Sequence, residues 1–222
     1  MIEFIDNIGI QLFLGSGSAF LDGLALFFTN AFTWVPLYIS LLYLIIKNND
    51  NMQQIFICFG FAVLCIAISS TAANVVAKPM VERLRPCNDP TVMYLADIAG
   101  NLRNKDFSFF SSHAAYTMSL AAFFSLLTRS GMLSIAMVSW SLLNCWTRLY
   151  LGQHFLTDIL TGLAWGIVTG ICCYLLCRKA IHRIIGRQNF ISSQYTSTGY
   201  AYLDIDVVLS VLFLIVVIGM II

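Results

Sequence analysis

Charge is what this chain has least of. Only 10% of its 222 residues are Asp, Glu, Lys or Arg, against roughly 25% in ordinary soluble domains. So few charges could not cover the surface of a water-soluble globule, and that class is excluded. The formal net charge is +1, so nothing marks the chain as a nucleic-acid binder and no such partner is expected. Paired cysteine motifs are missing too. Of seven cysteines, Cys58, Cys65, Cys145, Cys172, Cys173 and Cys177 lie in apolar runs, where the thiol acts as a small apolar group. Cys87, in "RPCND", is the one among polar neighbours, and no disulfide framework is implied. The opening "MIEFIDNIG" carries acids where a signal peptide has basic residues, so no cleavable signal is expected.

What the chain has instead is apolar length. Hydrophobic residues make up 59%, and a bilayer-crossing helix needs about 20 of them in sequence. Runs at 32–46 (extendable back to Leu24), 55–77, 111–127, 132–149 and 154–177 approach or meet this, and a sixth covers 202–222. The expected fold is an all-α, polytopic transmembrane bundle of five or six spans, forming one membrane domain over 1–222. Residues 2–14 alternate acids and amides with Ile, Leu and Phe, which reads as an N-terminal interfacial helix. A connector at 179–201 precedes the extra C-terminal helix, and 79–110 is the long polar loop.

The connections put Lys47, Arg129, Arg178, Lys179, Arg183 and Arg187 at one end of the bundle. Lys78, Arg83, Arg85, Arg103, Lys105 and Arg148 are at the other. With Lys78, Arg85 and Arg148 set aside for function, six cations face three. The positive-inside rule then places the first end, with the connector, in the cytoplasm.

The second end collects the scarce polar groups. Lys78 closes the second run and Arg85-Pro86 follow it. Ser111, Ser112 and His113 open the third. Arg148 closes the fourth, and His154 opens the fifth with Asp158 four residues on. Three cations from three segments suit the equatorial oxygens of a transferring phosphoryl group, and arginine's forked donors match phosphate. A helix start at "SSH" adds backbone N–H groups and a positive dipole end. Two histidines can divide the chemistry: His154, backed by Asp158, attacks phosphorus, and His113 protonates the leaving oxygen. Arg83, Arg103 and Lys105 read as loop or headgroup contacts. Asp89, Asp97 and Asp106 match no metal-ligand spacing.

These motifs resemble a known family. Lys78 with Arg85-Pro86 is similar to Lys-x6-Arg-Pro, Ser111-Ser112-His113 to Ser-Gly-His, and Arg148, His154 and Asp158 to Arg-x5-His-x3-Asp. Together they resemble the type 2 phosphatidic acid phosphatases, with residues 20–178 as the phosphatase core. The resemblance implies a phosphohistidine on His154, leaving-group protonation by His113, phosphate binding by Lys78, Arg85, Arg148, Ser111 and Ser112, and no metal or cofactor. It implies a lipid phosphate as substrate: a lipid A phosphate, undecaprenyl diphosphate, phosphatidylglycerol phosphate or phosphatidic acid. It also implies a bacterial inner-membrane enzyme facing the periplasm. Phe110, Ser112 and Thr147 depart from the pattern, standing where the family has proline, glycine and serine. The rival reading is a non-enzymatic carrier that grips a lipid phosphate with the same cations. The oligomeric state is left open.

Overall fold

A computed structural model describes residues 2–15, 17–94, 103, 105–185 and 193–221; Arg187 and Asp97 lie outside them. Among the described residues every regular element is helical, apart from one antiparallel bridge between Tyr195 and Ala201. The helices are α1 (Ile2–Phe13), α2 (Ala19–Thr29), α3 (Val35–Lys47), α4 (Met52–Thr71), α5 (Lys78–Val81), α6 (Ser112–Thr128), α7 (Gly131–Tyr150), α8 (Leu156–Ile185) and α9 (Tyr202–Ile221). Ile8, Phe56, Ile135, Leu175, Phe213 and many other large apolar side chains face outward. That is the surface of a protein solvated by lipid tails, not by water.

Each apolar run of the sequence coincides with helix, but not every helix spans by its own length and composition. Met52–Asn88, Leu156–Ile184 and Tyr202–Ile221 do, and the pair Ala19–Thr29 and Ala31–Lys47, bent by 66°, makes up to a fourth. Neither α6 nor α7 meets that measure. The reason lies in packing. α6 sits centrally, with its most extensive contacts to α8, then α7 and α4, so it tolerates polar side chains that a lipid-facing helix would not. Its Thr117 hydroxyl meets that of Ser141 on α7 at 2.8 Å, and Ser119 Oγ donates to the Tyr116 carbonyl at 2.9 Å.

α8 carries Gly162, Gly166 and Gly170 at four-residue spacing along the face that meets α6. A Cβ at Gly166 would press into the Ala115 carbonyl oxygen, so no side chain fits between the two backbones there. The close approach fixes the start of α6 against the start of α8. Away from that end, the core is aromatic: Trp140 lies edge-on to Trp34 at 5.8 Å between ring centres, within a cluster that includes Phe123 and Phe124.

α8 begins at Leu156, leaving His154 in the turn ahead of it, and runs to Ile185, past the expected start of the connector. α1 rests against α8 and the end of α7. Its Gly9 lies so near Leu156 that an added Cβ would meet the leucine Cβ at 2.7 Å.

Candidate active site

Pro79 shapes the first segment. Proline supplies no N–H and crowds the carbonyl four residues back, and here the preceding turn, Ala72–Ala77, opens into a π-helix. Such local widening accommodates a proline and recurs at functional sites. It carries Lys78 to the end of the span, buried, with Nζ donating to Asn74 Oδ1 at 2.7 Å. Glu82 then takes a left-handed conformation (φ 50°) and ends α5, turning the chain back across the end of the bundle.

Arg85 is buried in that return. Its Nε donates to the Asp106 carbonyl at 2.9 Å, and Nη1 to the carbonyl and Oε1 of Gln153 at 3.2 and 3.0 Å. Gln153 directly precedes His154, so one guanidinium ties the return after α5 to the turn between α7 and α8. That turn needs Gly152, whose φ of +61° and backbone contact with Cys87 leave little room for a side chain.

Ser111 is the N-cap of α6, its Oγ accepting from the Ala114 N–H. The N–H groups of Ser112 and His113 precede the first intrahelical bond, Ala115 N–H to Ser111 carbonyl, which is the arrangement that favours an anion. The Ser111 N–H donates to the Asp158 carbonyl at 3.2 Å, bringing the start of α6 onto α8. His113 points toward α7, where the Arg148 guanidinium donates to its Nε2. Arg148 Nε is buried with no hydrogen-bond partner among the described residues.

His154 is 3% exposed and Asp158 0%. Histidine Nδ1 stands 3.7 Å from Asp158 Oδ2, an ion-pair separation too long for a hydrogen bond. Oδ2 instead accepts the Phe155 N–H at 3.0 Å, the backward reach of a capping box. Burial lowers the His154 pKa to about 4; Asp158 opposes the shift, and the Arg85 and Arg148 charges add to it. The imidazole is therefore held neutral, with a free lone pair.

The eight residues expected from sequence all come to this one end. Lys78, Arg85 and Arg148 lie within electrostatic reach of His113, and Arg85 and Arg148 of His154. One important partner was not legible in the sequence. Arg83, expected as a loop or headgroup contact, points inward: Nη1 donates to Asp158 Oδ1 at 2.8 Å and Nη2 pairs with Asp6 of α1. Of the departures, Thr147 is buried with its hydroxyl bonded to the Asn144 carbonyl, and Phe110 packs beside Ala73 and Ala115 with its ring near Trp165. Among the described residues, no three His, Cys, Asp or Glu side chains gather in a way that could hold a metal ion.

An all-helical membrane bundle with cations, two histidines and a helix start converging at one end is the class that fold and geometry define. Residues 58–182, more than half of the chain, match the model of the PAP2 superfamily, and the chain belongs to that family. It is a phosphoric ester hydrolase acting on membrane lipids. It is 36% identical over 189 residues to the lipid A 4'-phosphatase of Bacteroides thetaiotaomicron, with 83% of each chain covered. It is 28% identical over 188 residues to the lipid A 4'-phosphatase of Porphyromonas gingivalis, covering 83% of this chain and 79% of that one. The crystal structure of a transmembrane PAP2-type phosphatidylglycerolphosphate phosphatase from Bacillus subtilis aligns over 84% of this chain and 87% of that one. Its TM-score is 0.49 and its identity 19%.

Proposed function

We propose that this lipid phosphatase acts on a phosphate monoester of lipid A, at the 4' position, through a phosphohistidine on His154. The observation that carries the substrate is the pair of lipid A 4'-phosphatases related to the chain over about four fifths of its length. The mechanism draws on the geometry. Lys78, Arg85, Arg148 and the Ser111–Ser112 start of α6 bind the phosphate oxygens. His154, its Nδ1 side facing Asp158, attacks phosphorus through Nε2. The P–O bond to the sugar breaks as the P–N bond forms, and His113 gives its proton to the departing oxygen. Water then attacks the phosphohistidine, with His113 taking its proton, and breaks the P–N bond to release inorganic phosphate. No metal ion takes part.

Before substrate arrives, Arg148 donates to His113 Nε2, which that nitrogen accepts only while unprotonated. A bound phosphate competes for Arg148 with a full negative charge, and its withdrawal frees His113 Nε2 to take up the proton it later gives. The carrier reading uses the cations but finds no work for a buried neutral histidine with a carboxylate behind it.

Five or six segments cross the inner membrane in this reading. The end bearing Lys47, Arg129 and Arg178 and the connector 179–201 face the cytoplasm, and the active site faces the periplasm. α1 lies at the membrane surface beside the site.

The test is phosphate release from lipid A, undecaprenyl diphosphate, phosphatidylglycerol phosphate and phosphatidic acid by the detergent-solubilised protein. Release from lipid A, with loss of the 4'-phosphate by mass spectrometry, is expected. Turnover of another lipid with lipid A untouched would overturn the substrate; transport without turnover in vesicles would favour the carrier.

A further inference from the structure

Asp6 should have no business near the reaction. It lies in the segment that sequence patterning assigns to the membrane surface, 148 residues from His154 in the chain. Yet it is 3% exposed, and among the described residues its carboxylate bonds run to groups bordering the site. Oδ1 accepts from both the N–H and the hydroxyl of Thr157, at 3.0 and 2.8 Å. Oδ2 receives Nη2 of Arg83.

Arg83 completes a closed ring of contacts. Its Nη1 donates to Thr157 Oγ1 and to Asp158 Oδ1, both at 2.8 Å. Its guanidinium carbon lies 3.9 Å over the centre of the Phe155 ring, a stacking geometry that fixes the plane of the fork. Asp158 is thereby held from both sides: Oδ1 by Arg83 and Oδ2 by the Phe155 N–H. Those two bonds set which way Oδ2 faces His154.

We propose that Asp6 and Arg83, joined through Thr157, are positioning residues that orient Asp158 and, through it, the His154 imidazole, so that helix α1 is part of the catalytic apparatus. The inference takes His154 as the nucleophile, as in the reading above, but not any particular lipid. None of the three groups is placed on the phosphate. Asp6 also divides the charge of Arg83 between two carboxylates. Without it, Arg83 turns wholly onto Asp158, weakening that carboxylate as a partner for the charge developing on the attacking ring.

The test uses the full chain in detergent, with Asp6→Asn, Asp6→Glu, Arg83→Gln and the Asp6→Asn/Arg83→Gln pair. The expected result is a fall in kcat of about 10- to 100-fold for Asp6→Asn and Arg83→Gln, the range that misorientation of a reacting group produces. KM and the inhibition constant of inorganic phosphate stay within about twofold. The pair is no worse than Arg83→Gln alone, because the two act through one contact, and Asp6→Glu recovers part of the loss. Independently of turnover, the nitrogen-15 signals of the His154 ring shift in Asp6→Asn although Asp6 does not touch the ring. Should Asp6→Asn fail to fold, Thr157→Val against Thr157→Ser asks the same question of the hydroxyl. Wild-type kcat in these variants overturns the proposal. So do multiplicative losses accompanied by equal falls in thermal stability, which mark a merely structural contact. A protein that turns over a different lipid with this pattern loses the lipid A assignment and keeps the relay. One that turns over lipid A but is indifferent to Asp6 and Thr157 does the reverse.

Discussion

His154 is a histidine whose surroundings work against its charge. Burial is the first cause, two guanidinium charges add to it, and the nearby Asp158 only partly offsets them, leaving the pKa near 4. The sign matters for catalysis. A nucleophile must be unprotonated, so His154 stays competent throughout the neutral and mildly acid range and loses its lone pair only as pH falls through about 4. Nitrogen-15 NMR of the three histidines measures this directly, with His154→Gln identifying the signal; a ring that titrates at the ordinary value near 6.5 would contradict it. The relation of His154 to Asp158 was legible because it is local: four residues separate them, and one turn of chain brings them to 3.7 Å. Arg83 was not legible for the opposite reason. Its partner Asp6 is 77 residues away, and no periodicity in either segment announces the pairing. Two residues from Arg85, it reads as one more loop cation until α1 is folded against α8.

At the scale of elements, the junction of α6 with α8 decides whether the two histidine segments meet. Gly162, Gly166 and Gly170 set it, and Gly166→Ala puts a methyl carbon against the Ala115 carbonyl and, at 2.9 Å, the Met118 Cβ. Both neighbours belong to helix backbone or its first side-chain atom, so the helices themselves must separate. The expected cost is about 1–3 kcal/mol of stability, read as a lower unfolding temperature in detergent, together with reduced turnover as Ser111 and Asp158 move apart. Gly60→Ala is the control, since a Cβ there meets nothing within 4 Å; equal losses in the two would rule out the close junction. The start of α6 was legible from "SSH" at the head of an apolar run. The glycine stripe was not legible, because small residues in an apolar run signal close packing only once the facing helix is known. The polar content of α6 and α7 likewise makes sense only when their burial is seen.

For the molecule as a whole, the apolar runs marked where helices would lie, but composition could not say which of them face lipid. Among the described residues three helices, or four with the bent pair, are long and apolar enough to span by themselves, while α6 and α7 depend on their neighbours. The proposed orientation can be checked with Asp50→Cys and Thr91→Cys, both at exposed positions at opposite ends, in a chain freed of its seven native cysteines. An impermeant maleimide should label position 91 in intact spheroplasts and position 50 only after lysis; the reverse pattern would invert the topology. The central claim, turnover through a phosphohistidine on His154, is tested most directly by trapping. Enzyme mixed with lipid A carrying radiolabelled phosphate at the 4' position, with a chelator present, is quenched in alkali. The account predicts an alkali-stable, acid-labile adduct on the wild-type protein and none on His154→Ala. An adduct that persists in His154→Ala, or one that forms only when a divalent ion is restored, would contradict it.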